Sequence, residues 1–154
     1  MSRYDKAPVG RVVAFGILSL AMAAFIWSNS LLDGTASGAQ SGYWAAILKP
    51  ILDPFAKMDT AAFHSWLRKA AHFTEFAVLG YLVGVFSGYL GVLRNKIYIP
   101  LPLLLTLLVA VSDEFIQRFT GRGSSVSDVV LDYTGAVTAL GVLWLVRLIK
   151  QKFK

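Results

Sequence analysis

The polar residues with chemical reach fall in three short groups. Lys69, His72 and Glu75 are spaced by three, so on a helix they occupy about 120° of one surface at 100° per residue. Asp113, Glu114 and Gln117 form the second group, with Glu114 and Gln117 on one face and Arg118 four beyond Glu114. In the third, Arg122 stands between Gly121 and Gly123, and Asp128 and Asp132 follow on a stripe that continues as Gly135 and Ala139. Five of the chain's nine acids lie in these groups. Arg122, Lys69 and Arg118 are suited to a phosphate or carboxylate, arginine through its planar fork. The acids can orient those cations or accept hydrogen bonds from sugar or peptide groups. His72 or Glu114 has the chemistry of a general base, with Asp128 and Asp132 as metal ligands or orienting groups. Acidic oxygens with one imidazole suit Mg²⁺ or Mn²⁺ better than Zn²⁺.

The elements that must position these groups are membrane helices. Of 154 residues, 56% are hydrophobic and 16% charged, with a mean hydropathy of +0.59. Soluble domains carry about 45–50% apolar and about 25% charged residues. Four uncharged or nearly uncharged runs, 12–32, 70–93, 97–112 and 133–146, stand between charges. The first two reach the roughly 20 residues a spanning helix needs. The last two are short, so spans built on them draw Asp113 and Glu114, and Asp132 and Asp128, to the membrane edge or into it. The sequence therefore predicts an all-α, polytopic membrane bundle in a single domain over 1–154, with four transmembrane helices near 9–32, 69–93, 97–118 and 127–148. The first is read as a retained anchor in preference to a cleaved signal peptide, because its apolar run continues through Phe25, Ile26 and Trp27 past the Ala21-Met22-Ala23 site.

The connection over 33–68 is different in kind. It opens Gly/Ser-rich and then becomes aromatic and amphipathic (Tyr43, Trp44, Ile47, Leu48, Ile51, Leu52, Phe55), with Pro50 and Pro54 as breaks. It is expected to form short interfacial helices at the level where Trp and Tyr rings settle. A cap at Asp59 or Thr60 allows the second span to begin as a surface helix. Gly80, Gly84 and Gly88 make a smooth stripe, fit for packing against Gly135 and Ala139 of span four or for joining two copies as a homodimer.

Charge sets orientation and partners. The net charge of +6 in so apolar a chain favours anionic membrane lipids over nucleic acid. The two ends and the second connection hold nine Lys+Arg; the other connections hold six, of which Arg68, Lys69, Arg118 and Arg122 belong to the polar groups. This bias places both termini of a multi-pass membrane protein in the cytoplasm, with the polar groups at the outer leaflet. There are no cysteines, which excludes disulfides, thiolate catalysis and Cys-based metal sites. No cofactor is expected outside the metal-enzyme alternative.

Two strings carry a family resemblance. The first runs from Arg68 and Lys69 through His72 and Glu75 to Gly80. The second runs from Asp113-Glu114 through Gln117, Phe119, Gly121-Arg122, Asp128 and Asp132 to Gly135. They resemble the VanZ-like family of small bacterial membrane proteins, whose pattern is K-x-x-H, then D/E-E-x-x-Q-x-F-x-P-G-R ahead of S-x-x-D-x-x-x-N/D-x-x-G. Thr120 departs from the proline before Gly121, which is expected to loosen the turn. Phe76 stands where the family often has tyrosine, which removes a hydroxyl. The family takes its name from a protein linked to low-level teicoplanin resistance. The resemblance thus implies a cell-envelope protein implicated in glycopeptide resistance.

Three functions fit these residues. The leading one is binding of an amphiphilic envelope component, such as a glycolipid or lipoglycopeptide, at the outer leaflet through Lys69, His72, Glu75, Asp113, Glu114, Gln117, Arg122, Asp128 and Asp132. The aromatic 43–66 segment would then receive its tail. The alternative is a membrane-embedded hydrolase or transferase acting on a lipid-linked phosphate or glycan, for which no established nucleophile elbow, H-E-x-x-H helix or phosphate loop is present. A third assigns the cluster only to fixing helix register. Ser124 or Ser127 is expected to cap span four.

Overall fold

The structure is a computed structural model that describes residues 9–56, 58–94 and 98–153. Arg3, Lys6, Lys57, Lys96, Ile97 and Lys154, used above in counting charge and run length, lie outside these residues, as does the side chain of Phe55. Five helices follow in order: α1 (Val9–Ser30), α2 (Gly34–Ala56), α3 (Thr60–Arg94), α4 (Pro100–Phe119) and α5 (Val126–Lys152). Four of them, α1, α3, α4 and α5, are long and apolar enough to cross a membrane. At 1.5 Å per residue the 20 residues of α4 reach about 30 Å, the thickness of a hydrocarbon core.

Their packing separates two kinds of apolar surface. Ala23, Ile26, Phe76, Leu79, Val83, Ala110 and Ala136 form the buried core, drawn from all four long helices. Large side chains remain exposed around the outside, among them Leu20, Leu104, Leu108, Phe115, Val142 and Leu148. An apolar surface of this extent is stable only against lipid, so these residues are the acyl-facing coat.

The most extensive interface joins α3 to α5. A Cβ placed on Gly80 would lie 2.5 Å from the carbonyl oxygen of Ala136, and one on Gly135 would strike the Phe73 carbonyl oxygen. The two backbones are therefore in direct contact, as small residues permit. Gly84 receives the ends of Leu140 and Leu143, and Gly88 lies under the Arg147 guanidinium. Ala136, not Ala139, opposes Gly80, because Asp132, Ala136 and Leu140 continue one face at four-residue spacing. The glycine stripe is thus covered by α5 of the same chain.

The connection before α3 is longer-ranged than its prolines suggest. Asp33 starts α2, accepting from the Ala36 amide at 2.8 Å, and the helix continues past Pro50 and Pro54 to Ala56. The two prolines are one turn apart, so the backbone bonds they omit lie on one side and the other rows persist. Where two or more short pieces were expected, one 23-residue helix forms. Asp59 then caps α3, its Oδ1 accepting from the Ala62 amide at 2.7 Å, and α3 runs unbroken for 35 residues, about 52 Å. From His72 to Arg94 alone is about 33 Å, so the turns before His72 extend beyond a hydrocarbon core. Tyr43, Trp44, Ile47 and Ile51 leave an exposed aromatic and aliphatic face on α2, while Ala45 is buried.

Candidate functional site

The polar groups come together at one end of the bundle because α1 and α4 end there, α5 begins there, and α3 passes through. Asp113 and Asp132 are fully buried; Glu114 and Gln117 nearly so. His72 Nδ1 lies 3.5 Å from Asp132 Oδ1 and 4.0 Å from Asp113 Oδ2. Asp113 is held on both oxygens: Ser30 Oγ donates to Oδ1 at 2.6 Å and Gln117 Nε2 to Oδ2 at 2.7 Å. Neither oxygen of Asp132 has a hydrogen-bond partner. His72, Asp113 and Asp132 each present one ligand-type atom within 4.8 Å of the others. Asp128, expected beside Asp132 as a metal ligand, is not in this set.

Above this triad is a narrow cleft lined by Arg68, Lys69, His72, Glu114, Gln117, Arg122, Gly123, Asp128, Leu131 and Asp132. The turn that supplies Arg122 is built from its backbone. Gly121 adopts φ +70°, the left-handed conformation that ends helices, and the Arg122 amide reaches back to the Gln117 carbonyl at 3.3 Å. A side chain at 121 would strain this conformation. The α5 cap is Ser125, whose Oγ accepts from the Ser127 amide at 3.1 Å; Ser124 and Ser127 do not serve. Glu114 Oε2 accepts from the Ser125 amide at 2.9 Å, which ties the end of α4 to the start of α5.

Arg122 pairs with neither Glu114 nor Asp128, although acids were expected to orient the cations. Its Nη1 donates to the Asn29 carbonyl at 2.9 Å. Among the described residues, no carboxylate lies within 4.0 Å of Arg122, Arg68 or Lys69. Burial and then the neighbouring Arg68 push the Arg122 pKa down, while Asp113, Glu114 and Glu75 act the other way. Arginine stays charged through such shifts. Arg118 is exposed and outside the cleft.

Glu75 belongs to a different wall. It accepts from Asn29 Nδ2 at 3.3 Å and borders an open groove of about 410 Å³, otherwise lined by Met22, Leu67, Ala70, Ala71, Thr74 and Val78. His64 lines a second groove under α2 with Gly42, Ala45, Ala46, Lys49, Pro50 and Thr60.

The end of α1 supplies four contacts that sequence reasoning missed. Ser30 holds Asp113, the Ser30 carbonyl accepts from Thr120 Oγ1 at 3.0 Å, and Asn29 bridges Glu75 and Arg122. The signal was the uncharged polar run Ser28-Asn29-Ser30 at the end of an apolar span. Thr120, expected to loosen its turn, fastens it to α1. Phe76 is fully buried in the core, so the hydroxyl absent there would have faced apolar side chains.

These features define a polytopic α-helical membrane protein with a polar cleft at one end of its bundle. The chain belongs to the VanZ/LLP1 family, which it matches over residues 15–147. The match takes in both polar strings and α1 from residue 15 onward. No curated protein and no solved structure matches the chain.

Proposed function

We propose that this VanZ-family protein binds the anionic headgroup of an amphiphilic cell-envelope component at the outer leaflet. The observation that carries this reading is the convergence of Arg68, Lys69 and Arg122 on one cleft without a carboxylate partner. Glu114, Asp128 and Asp132 line the same cleft but none of them pairs with these cations, so the donors of the three cations are left for a phosphate or carboxylate. Asn29 holds Arg122 by one nitrogen, which leaves the rest of its fork for a ligand. The open groove beside Glu75 is apolar enough for part of a lipid tail, and the exposed face of α2 suits the headgroup layer. The bias in Lys and Arg favours cytoplasmic termini in the inner membrane, which turns the cleft outward. Teicoplanin resistance would follow if the bound component were a target or precursor that glycopeptides recognise.

The test is binding of a long-chain phosphomonoester to the purified protein, against its neutral alcohol, by native mass spectrometry. The phosphate should be retained by the parent and lost in Arg122→Ala. Arg122→Lys should also lose most of it, because an ammonium cannot reproduce the planar fork. Equal retention of the phosphate and the alcohol refutes the anion site.

A further inference from the structure

We infer that His72, Asp113 and Asp132 form a binding site for one divalent cation of the Mn²⁺ type, placed beneath the polar cleft. The three side chains come from α3, α4 and α5 and present their ligand atoms within 4.8 Å of one another. The observation that separates this site from an ordinary acidic cluster is Asp132. Its side chain is fully buried, yet neither oxygen has a hydrogen-bond partner. A buried carboxylate whose nearest partner is an imidazole 3.5 Å away is poorly compensated for its lost hydration. An ion between the three groups supplies what is missing.

The geometry favours an ion over a direct bond. His72 Nδ1 is 3.5 Å and 4.0 Å from the two carboxylates, too far for good hydrogen bonds. Two ligand atoms that each lie about 2.1 Å from a shared ion stand roughly 3 to 4 Å apart. Asp113 is already oriented for the task, since Ser30 and Gln117 hold its two oxygens, the supporting arrangement that metal-bound carboxylates take.

Charge gives the same answer. A divalent ion with neutral imidazole balances both carboxylates. Two hard oxygens with one imidazole nitrogen suit Mn²⁺, since harder Mg²⁺ prefers oxygen alone and Zn²⁺ prefers more nitrogen or sulfur. His72 and Asp132 also line the cleft, whose interior of about 20 Å³ accommodates about one water. Remaining coordination positions therefore open toward Arg68, Lys69 and Arg122.

This site stands apart from the anion reading, and its test needs no lipid. The full chain, purified in detergent and stripped with a chelator, is titrated with Mn²⁺ while electron paramagnetic resonance follows the free hexaaqua ion. We expect one saturable site per chain, weakened about 100-fold or more by Asp132→Asn and by His72→Gln, since even supporting residues change metal affinity about 10- to 100-fold. His64→Gln, which changes the other histidine, should leave the titration unchanged. Circular dichroism checks that each variant keeps the parental helix content, and the parent's own titration decides if one does not. Absence of saturable binding in the parent, or full binding in a folded Asp132→Asn, overturns the site. Neither result touches retention of the phosphomonoester, so the two readings fail separately.

Discussion

Adding a single methyl group at Gly80 should force α3 away from α5. The new Cβ would sit 2.5 Å from the Ala136 carbonyl oxygen and 2.7 Å from its Cα, where real Cβ atoms keep beyond 3.0 Å. Both obstacles are backbone, so the helices must part by about 0.5 Å or more over the longest interface in the protein. Overpacking of this kind costs about 1–3 kcal/mol, while exchanging glycine for alanine inside a helix returns roughly 0.8–1 kcal/mol. The expected balance is a net loss of up to about 2 kcal/mol. Gly84→Ala is the internal control. Its Cβ meets only the ends of Leu140 and Leu143 at 2.6 and 2.8 Å, and those side chains can turn aside. The gain in helix propensity should leave it near neutral. Reversible unfolding in mixed micelles, followed by far-ultraviolet circular dichroism, measures both. If Gly80→Ala is as stable as the parent, or less damaging than Gly84→Ala, the backbone contact between α3 and α5 is not as described.

Other outcomes follow from single contacts. Ser30→Ala removes one of the two donors to buried Asp113 and should destabilise the fold by about 1–3 kcal/mol, measured in the same micelles. Thr120→Pro, although it restores the family's residue, should lower stability. It deletes the Thr120 amide bond to the Gln117 carbonyl and the hydroxyl bond to Ser30, and a lower melting temperature by differential scanning fluorimetry would register the loss. At the start of α2, the Thr35 hydroxyl and then the Ala36 amide hold the exposed Asp33 carboxyl below its ordinary pKa of 3.8. Its cap is therefore fully present above that value and is lost as pH falls through the lowered one. Protection of the Ala36 amide, taken as its exchange rate relative to the intrinsic rate at each pH, should fall on acidification in the parent and be low at every pH in Asp33→Ala.

What was legible in the sequence was whatever charge and run length could reveal. The four long helices follow from apolar runs, and His72, Asp113 and Asp132 stood out because ionisable groups are expensive in apolar surroundings. Ser30 and Asn29 did not stand out, since neutral polar residues at the end of a span look like ordinary termini. Their importance rests on what α4 and the 120–125 turn place beside them. Arg122 shows the same limit. Charge suggested an acidic partner, but the turn directs its guanidinium to the Asn29 carbonyl and gives Glu114 to the Ser125 amide. Ala136 in place of Ala139 is a matter of rotation, because both lie on the small-residue side of α5 and only the crossing with α3 distinguishes them. The continuity of α2 escaped notice because proline is read as a stop, whereas one missing bond per turn can be tolerated when its neighbours hold.

The bond between Ser30 and Asp113 spans 83 residues, and this fixes an order of events during synthesis. α1 is made first and must wait, with its polar end unmatched, while α2 and α3 leave the ribosome. α4 has the lowest hydropathy of the four long helices and carries a carboxylate that oil would reject. It is accommodated by joining helices already in place, Ser30 from the first and His72 from the third, and by the arrival of α5 directly behind it. The polar end of α1 and the carboxylate of α4 are each costly alone in lipid, so their pairing favours assembly of the bundle over separate helices.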